Sequence, residues 1–215
     1  MLRQAIRKFP GVPTLIKLNT EFEDWWFDVV HHSNTSPDMD EQVRRGWDID
    51  PTNFKHIPVR PKIARRELNA LPRFDFREYA FIDFGCGKGR MLLIAAALPF
   101  KRYVGIELRR EFYELALMNT RSDRRAASRN IECLNINAVD YEFPDEKLVV
   151  YFCNPFGEEV MRPVQDNLGR SLKRNFRDVV VVLHNPIYGY VLDSTPHLSL
   201  VKEGYGFRIY RSRRV

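Results

Sequence analysis

The stretch Phe81-Ile-Asp-Phe-Gly-Cys-Gly-Lys-Gly-Arg90 constrains this chain more than any other, because an apolar strand runs straight into three glycines at every second position. An acid, Asp83, stands two residues before the first glycine. A second acid, Glu107, ends the next strand-like run, Tyr103-Val-Gly-Ile-Glu107. Strand, glycine-rich turn, helix and a further strand closing on a carboxylate describe a βαβ unit that binds a nucleoside. Glycines let the backbone pass close to a ligand, since no Cβ blocks the approach and positive φ is open to them. The Glu is then placed to accept hydrogen bonds from two ribose hydroxyls.

Two cofactor classes compete for such a unit. Dinucleotide folds use G-x-G-x-x-G, with the pyrophosphate seated on a helix N-terminus. Here the glycines are Gly85, Gly87 and Gly89. A carboxylate at Asp83 would repel a pyrophosphate but accept a hydrogen bond from an ammonium group. S-adenosylmethionine carries such an ammonium and has no phosphate, so the spacing favours it. Binding of NAD without binding of S-adenosylmethionine would restore the dinucleotide reading.

On these residues the chain resembles the class I, seven-β-strand S-adenosylmethionine-dependent methyltransferases. The resemblance covers roughly residues 76–215; the first 75 match only loosely. It implies that Asp83, Gly85, Cys86, Gly87 and Gly89 cradle the methionine part of S-adenosyl-L-methionine and that Glu107 binds its ribose. Asn137-Ala138 falls where many members approach the adenine amino group, after the third strand. The fourth strand, Lys147 to Cys153, ends in Asn154-Pro155-Phe156. Nitrogen methyltransferases place an Asn or Asp, two prolines and an aromatic there, so that oxygens hold the target NH₂ and the ring stacks on it. With one proline this loop is a residue short of that pattern, and it looks closer to the Asn-x-Phe of the Dot1-like protein-lysine methyltransferases. Asn154, Pro155 and Phe156 are therefore the candidate catalytic residues. A turn that merely closes the sheet over its core is the plain alternative.

With 215 residues the chain has room for one α/β domain with an N-terminal elaboration, and 44% hydrophobic residues permit a buried core rather than a disordered chain. The expected division is an N-terminal helical or lid segment, residues 1–75, and a methyltransferase domain, residues 76–215. A formal charge of +6 leaves basic patches at 121–129, 173–177 and 208–214, which attract nucleic acid or acidic protein surfaces but also look like ordinary solvated helix faces. Three cysteines without paired spacing argue against a disulfide framework and a zinc site. The vicinal His31-His32 has no partner at ligand spacing, so no metal is expected. The longest apolar run, Met91 to Phe100, is about half a membrane span. No membrane partner is therefore expected, and a soluble, cytoplasmic protein is the default.

The pattern along the chain predicts helices over 22–30, 62–71, 89–98, 110–120 and 158–174, and strands over 80–84, 102–107, 131–136, 147–153 and 178–184. Unbroken apolar runs such as Val179-Val-Val-Val-Leu183 suit strands covered on both faces. Residues 197–202 and 205–211 read as a β-hairpin around Glu203-Gly204. The expected fold is α/β: a Rossmann-like seven-stranded sheet with helices on both faces, a terminal antiparallel hairpin and a mainly helical N-terminal segment.

Several residues have a plain reading beside a functional one. Lys88 and Arg90 are expected at the surface. Cys86 is read as a small residue lining the cofactor pocket rather than a nucleophile, and Cys153, ending a strand that pairs with the first, is expected near it. His184-Asn185-Pro186 stands at the sheet edge where open α/β sheets bind ligands, yet an ordinary strand-end His is the simpler reading. Residues 31–40 read as a loop or lid. Trp25, Trp26, Trp47 and Phe54 are expected to pack the N-terminal segment on the sheet rather than line a channel, and Pro51 to Phe54 is a candidate to close over the cofactor. The expectation is a methyltransferase acting on nitrogen, with a protein lysine or other amine as first acceptor. RNA or a small molecule stays open as acceptor, and a non-catalytic cofactor-binding interaction module stays open as a different class.

Overall fold

The computed structural model describes residues 22–36, 58–153 and 156–215 in full and the backbone of residues 12–21. Helix α1 runs Val12–His31 and α2 Pro61–Asn69. The alternating part follows: β1 Tyr79–Phe84, α3 Arg90–Ala95, β2 Arg102–Ile106, α4 Arg110–Ser122, β3 Ile131–Leu134, β4 Lys147–Cys153, α5 Glu158–Arg174 and β5 Val179–His184. A short helix, α6 Gly189–Asp193, precedes the hairpin of β6 Leu198–Gly204 and β7 Phe207–Ser212.

The strands form one sheet in the order β3-β2-β1-β4-β5-β7-β6. Strands β1 to β5 pair in parallel, and β7 runs antiparallel to both β5 and β6. The strand order reverses between β1 and β4, so the crevice that accepts ligands in open sheets opens at their C-terminal ends. Every residue of β1 is buried, as a central parallel strand requires.

Alternation along the strands feeds two cores. Phe81, Tyr103, Val149, Tyr151, Val180 and Val182 pack with Phe27, Ala64, Leu68, Leu92 and Ala116 from α1 to α4. Ile82, Phe84, Val104, Ile106, Val150 and Phe152 pack with Met161, Val164, Leu168 and Leu172 of α5 and Val191 of α6. Those α5 residues recur at spacings of three and four, one helical face. Leu168→Ala is expected to cost about 2–5 kcal/mol through the cavity it leaves.

The element boundaries differ from expectation for local reasons. Helix α1 begins ten residues earlier than the predicted 22, with Pro13 in its first turn, where a missing N–H costs nothing. Helix α3 stops at Ala95: Ala97 N and Leu98 N already bond three residues back, and Pro99 follows. The hairpin turns on Tyr205-Gly206, with Gly206 at φ +78°, two residues beyond the predicted turn. Trp25 and Trp26 do not pack on the sheet. They are 55% and 53% exposed and cluster with the Phe22 ring, at centroid distances of 5.8 and 6.4 Å from it. Trp47, Pro51, Phe54 and residues 37–40 of the expected lid lie outside the described residues.

Candidate functional site

The loop after β1 takes its shape from its glycines. Gly85, Gly87 and Gly89 have φ of +69°, +54° and +86°, the left-handed region that L side chains avoid. Gly85 N and Cys86 N both donate to Ile106 O, at 2.8 and 3.0 Å, which ties the loop to β2. Gly89 is doubly constrained, because a Cβ there would also meet Ala116 of α4 at 3.3 Å. Glu107 completes the cradle. Its Oε2 accepts from Gly87 N at 2.8 Å and its Oε1 from Arg109 N at 2.9 Å.

Two acids thus sit side by side at the ends of β1 and β2, and both are out of water. Asp83 is 2% exposed. No donor among the described residues hydrogen-bonds its carboxylate. Burial, and then the Glu107 carboxylate, push the Asp83 carboxyl well above its usual range. Burial also raises Glu107, although the Arg109 and Gly87 amides pull the other way. A buried acid without a partner is costly unless a ligand supplies one. The missing partner is a compact cation or a strong donor, which suits the ammonium of an amino acid. The residues present therefore fit S-adenosylmethionine.

Asn137 stands beyond β3 on the same edge, where its side chain accepts from Val139 N at 3.2 Å and caps a single helical turn over Ala138–Asp140. Ala138 is buried. Asp83, the glycine loop, Glu107 and Asn137-Ala138 hence follow β1, β2 and β3 along one edge. Cys86 is buried, and burial, followed by Asp83 and Cys133, drives its thiol well up, which disfavours the thiolate. Its sulfur lies over Gly105, where a Cβ would come within 2.9 Å, and so turns toward β2 and β3 rather than toward Cys153 on β4. Asn154 and Pro155 lie outside the described residues. Phe156 packs against the core on the α5 side of the sheet, the face opposite Asp83.

Lys88 and Arg90 are not at the surface. They are 2% and 3% exposed and hold the segment that follows α1. Lys88 Nζ donates to Ser36 O at 3.0 Å, Arg90 Nε to Thr35 Oγ1 at 2.8 Å and Arg90 Nη1 to Asp24 at 2.5 Å. Asn119 Nδ2 of α4 donates to both Lys88 O and Asn34 O, at 2.8 and 3.1 Å. Asp28 gathers the same segment by accepting from the amides and hydroxyls of Thr35 and Ser36. The sign of this in the sequence is the density of Ser, Thr and Asn over 33–36, within the stretch that reads as a loop or lid. Asn135, likewise unforeseen, braces the turn after β2 by donating to Glu107 O and Leu108 O, each at 2.9 Å.

A third cluster lies beside Asp83 on the same face. Glu67 of α2, fully buried, accepts from Tyr151 Oη at 2.7 Å and pairs with His184 Nδ1 at 2.7 Å. Tyr151 is the Cα partner of Asp83 across β1 and β4, and His184 closes β5 level with Cys153. Among the described residues no group of His, Cys, Asp and Glu could hold a metal ion, and no helix is long and apolar enough to cross a membrane.

Strand order and glycine loop together define the class I S-adenosylmethionine-dependent methyltransferase fold. Residues 77–162 match a family model described as Putative methyltransferase. That description lends no support to a specific kinship with the Dot1-like enzymes. An uncharacterized protein of Methanocaldococcus jannaschii is 30% identical over 148 residues, which cover 63% of this chain and 65% of that protein, just under two thirds of its length. Among solved structures, a predicted N6-adenine-specific DNA methylase from Listeria monocytogenes superposes with a TM-score of 0.53 at 18% identity, over 73% of this chain and 51% of its own. An RNA methyltransferase from Salinibacter ruber, in complex with S-adenosyl-L-homocysteine, gives 0.50 at 17% identity, over 73% and 92%. At such identities these two structures speak for the fold.

Proposed function

We propose that this protein binds S-adenosyl-L-methionine at the loop after β1 and transfers its methyl group to a nitrogen acceptor. One observation carries the reading: the buried Asp83 carboxylate, without a hydrogen-bond donor among the described residues, facing a loop of three left-handed glycines with Glu107 beside it. The cofactor supplies an activated sulfonium methyl, so the protein's task is to position and desolvate rather than to activate. Asp83 would hold the ammonium, Gly85, Cys86, Gly87 and Gly89 the methionine backbone, Glu107 the ribose and Asn137-Ala138 the adenine. Glu107 keeps its orientation through the Gly87 and Arg109 amides. Asn154-Pro155, after β4, would orient the acceptor NH, while the Phe156 ring packs on the α5 side of the sheet. The acceptor is read first as a protein amine.

A specific observation favours RNA as the second reading. Lys62, Arg65, Arg66 and Lys202, with Tyr205 and Phe207, line an open groove of about 620 Å³ between α2 and the hairpin. Tyr205 is 91% exposed at the hairpin tip. Cations around an exposed ring suit a single-stranded polyanion and repel a lysine side chain. Labelled methyl transfer into a cell lysate tests both readings, with protein and nuclease-sensitive fractions counted separately. Transfer by the wild type that Asn154→Ala abolishes is the expected result. Equal label with both proteins removes Asn154 from the site, and cofactor binding without any transfer leaves only a binding module.

A further inference from the structure

The one buried carboxylate on α2 has a use that the cofactor site does not explain. Glu67 lies in an apolar helix face between Ala64 and Leu68, all three at 5% exposure or less, so its burial costs several kcal/mol unless both oxygens are satisfied. They are satisfied by two groups from the ends of the central strands, Tyr151 of β4 and His184 of β5. Opposite a carboxylate, His184 Nδ1 carries the proton and donates. Nε2 is then the lone-pair nitrogen, and among the described residues it has no partner. The ring is not sealed in: its side chain is 19% exposed, at the sheet edge and level with Cys153, the residue before Asn154.

We propose that His184 is the proton acceptor for the methyl-accepting nitrogen, with Glu67 and Tyr151 as positioning residues that fix its ring and its tautomer. This rests on the methyltransferase reading above. In the step it serves, the acceptor's lone pair forms the bond to the methyl carbon and the carbon–sulfur pair leaves on sulfur. The acceptor N–H bond breaks, and its proton passes to Nε2. The resulting imidazolium stands against the Glu67 carboxylate, which stabilises it as charge develops. The neighbours cannot take this part. Burial, then Cys153 and Glu67, push the Tyr151 hydroxyl well up, and burial, then Asp83, does the same to the Cys153 thiol. Imidazole ordinarily exchanges its proton between pH 5 and 8.

Among the described residues, the titratable groups facing His184 are Glu67 on α2, Tyr151 and Cys153 on β4 and, behind Tyr151, Asp83 on β1. On β7 its Cα partner is Phe207, under the Arg66 guanidinium. Replacing Glu67 by Gln keeps the shape and removes the carboxylate that faces the ring.

The test uses the full chain, with S-adenosyl-homocysteine affinity measured by calorimetry, labelled transfer into lysate, and an NMR titration of the His184 ring. His184→Asn is expected to lower transfer at least 100-fold with affinity unchanged within about threefold, and added imidazole should restore part of the rate to His184→Ala. Glu67→Gln should lower transfer about tenfold, move the acid limb of its pH profile to lower pH and lower the ring's titration midpoint. Tyr151→Phe should act in the same direction more weakly. Full transfer by His184→Asn would overturn the assignment of the base. An unmoved midpoint in Glu67→Gln would overturn the Glu67–His184 unit. Should the wild type bind the cofactor and transfer nothing, the methyltransferase reading fails, while the NMR titration still decides the pair.

Discussion

The two ends of the same sheet treat their acids in opposite ways. At the N-terminal end, Asp178 accepts from Tyr79 and from Arg211, and Glu146 takes both Lys101 and Arg102. Partial burial works against both carboxylates, yet these bonds win, and both are held below their usual range. At the C-terminal end burial wins. Asp83 and Glu107 are raised, and the bonds to Glu107 come from the backbone amides of Gly87 and Arg109. Acids that fasten the scaffold are paired with cations and half solvated, while the acids beside the glycine loop are buried, Glu107 on backbone amides alone and Asp83, among the described residues, on no donor. Residue type does not separate the two sets; partner and depth do.

The contrast can be broken most directly at Asp83. Asp83→Asn is expected to weaken S-adenosyl-homocysteine about 100-fold by calorimetry, close to 3 kcal/mol, with thermal stability unchanged or raised. Asp178→Ala should do the reverse. It strands Tyr79 and Arg211 and, on a partly solvated site, lowers stability by about 1–2 kcal/mol in urea, with cofactor affinity intact. Glu107→Gln, which keeps part of the bonding to Gly87 and Arg109, should cost about tenfold in affinity.

The pH dependence sharpens the same comparison, since the signs oppose. Stability contributed by Asp178 and Glu146 is present above the ordinary carboxyl range and is lost as pH falls through their lowered values. The contribution of Asp83 and Glu107 is present below that range and is lost as pH rises toward their raised values. Cofactor binding should therefore strip a proton from Asp83, and its affinity should rise with pH from the ordinary carboxyl range upward. Calorimetry in buffers of different ionisation enthalpy would show the proton. The smallest effect belongs to the exposed Arg110–Glu114 pair, whose removal should leave both melting temperature and affinity unmoved.

The parts legible in the sequence were those whose cause is local. The apolar runs at 147–153 and 179–184, the amphipathic spacing of 158–174 and the alternate glycines after Phe84 each carry their conformation within a few residues. The left-handed φ of Gly85, Gly87 and Gly89 is why only glycine stands there. What stayed hidden was non-local. Glu67 and His184 meet across 117 residues, and neither position carries a local mark of the other. Lys88 and Arg90 looked like surface cations because nothing near them shows that Ser36, Thr35 and Asp24 return to cover them. Trp25 and Trp26 misled in the other direction, since ring size alone argued for burial.

The docking of residues 34–36 onto Lys88, Arg90 and Asn119 makes this segment a gauge of the loop it leans on. Free energy is reciprocal between linked sites: a ligand that binds the glycine turn only while the segment is docked must favour the docked form over the released one by the same factor. A protease that cuts only the released form would then report occupancy of the pocket, because a ligand at 100 times its Kd adds about 2.7 kcal/mol to the closed form. Digestion rates near Ser33–Ser36 thus offer a way to screen cofactor analogues before any acceptor is known.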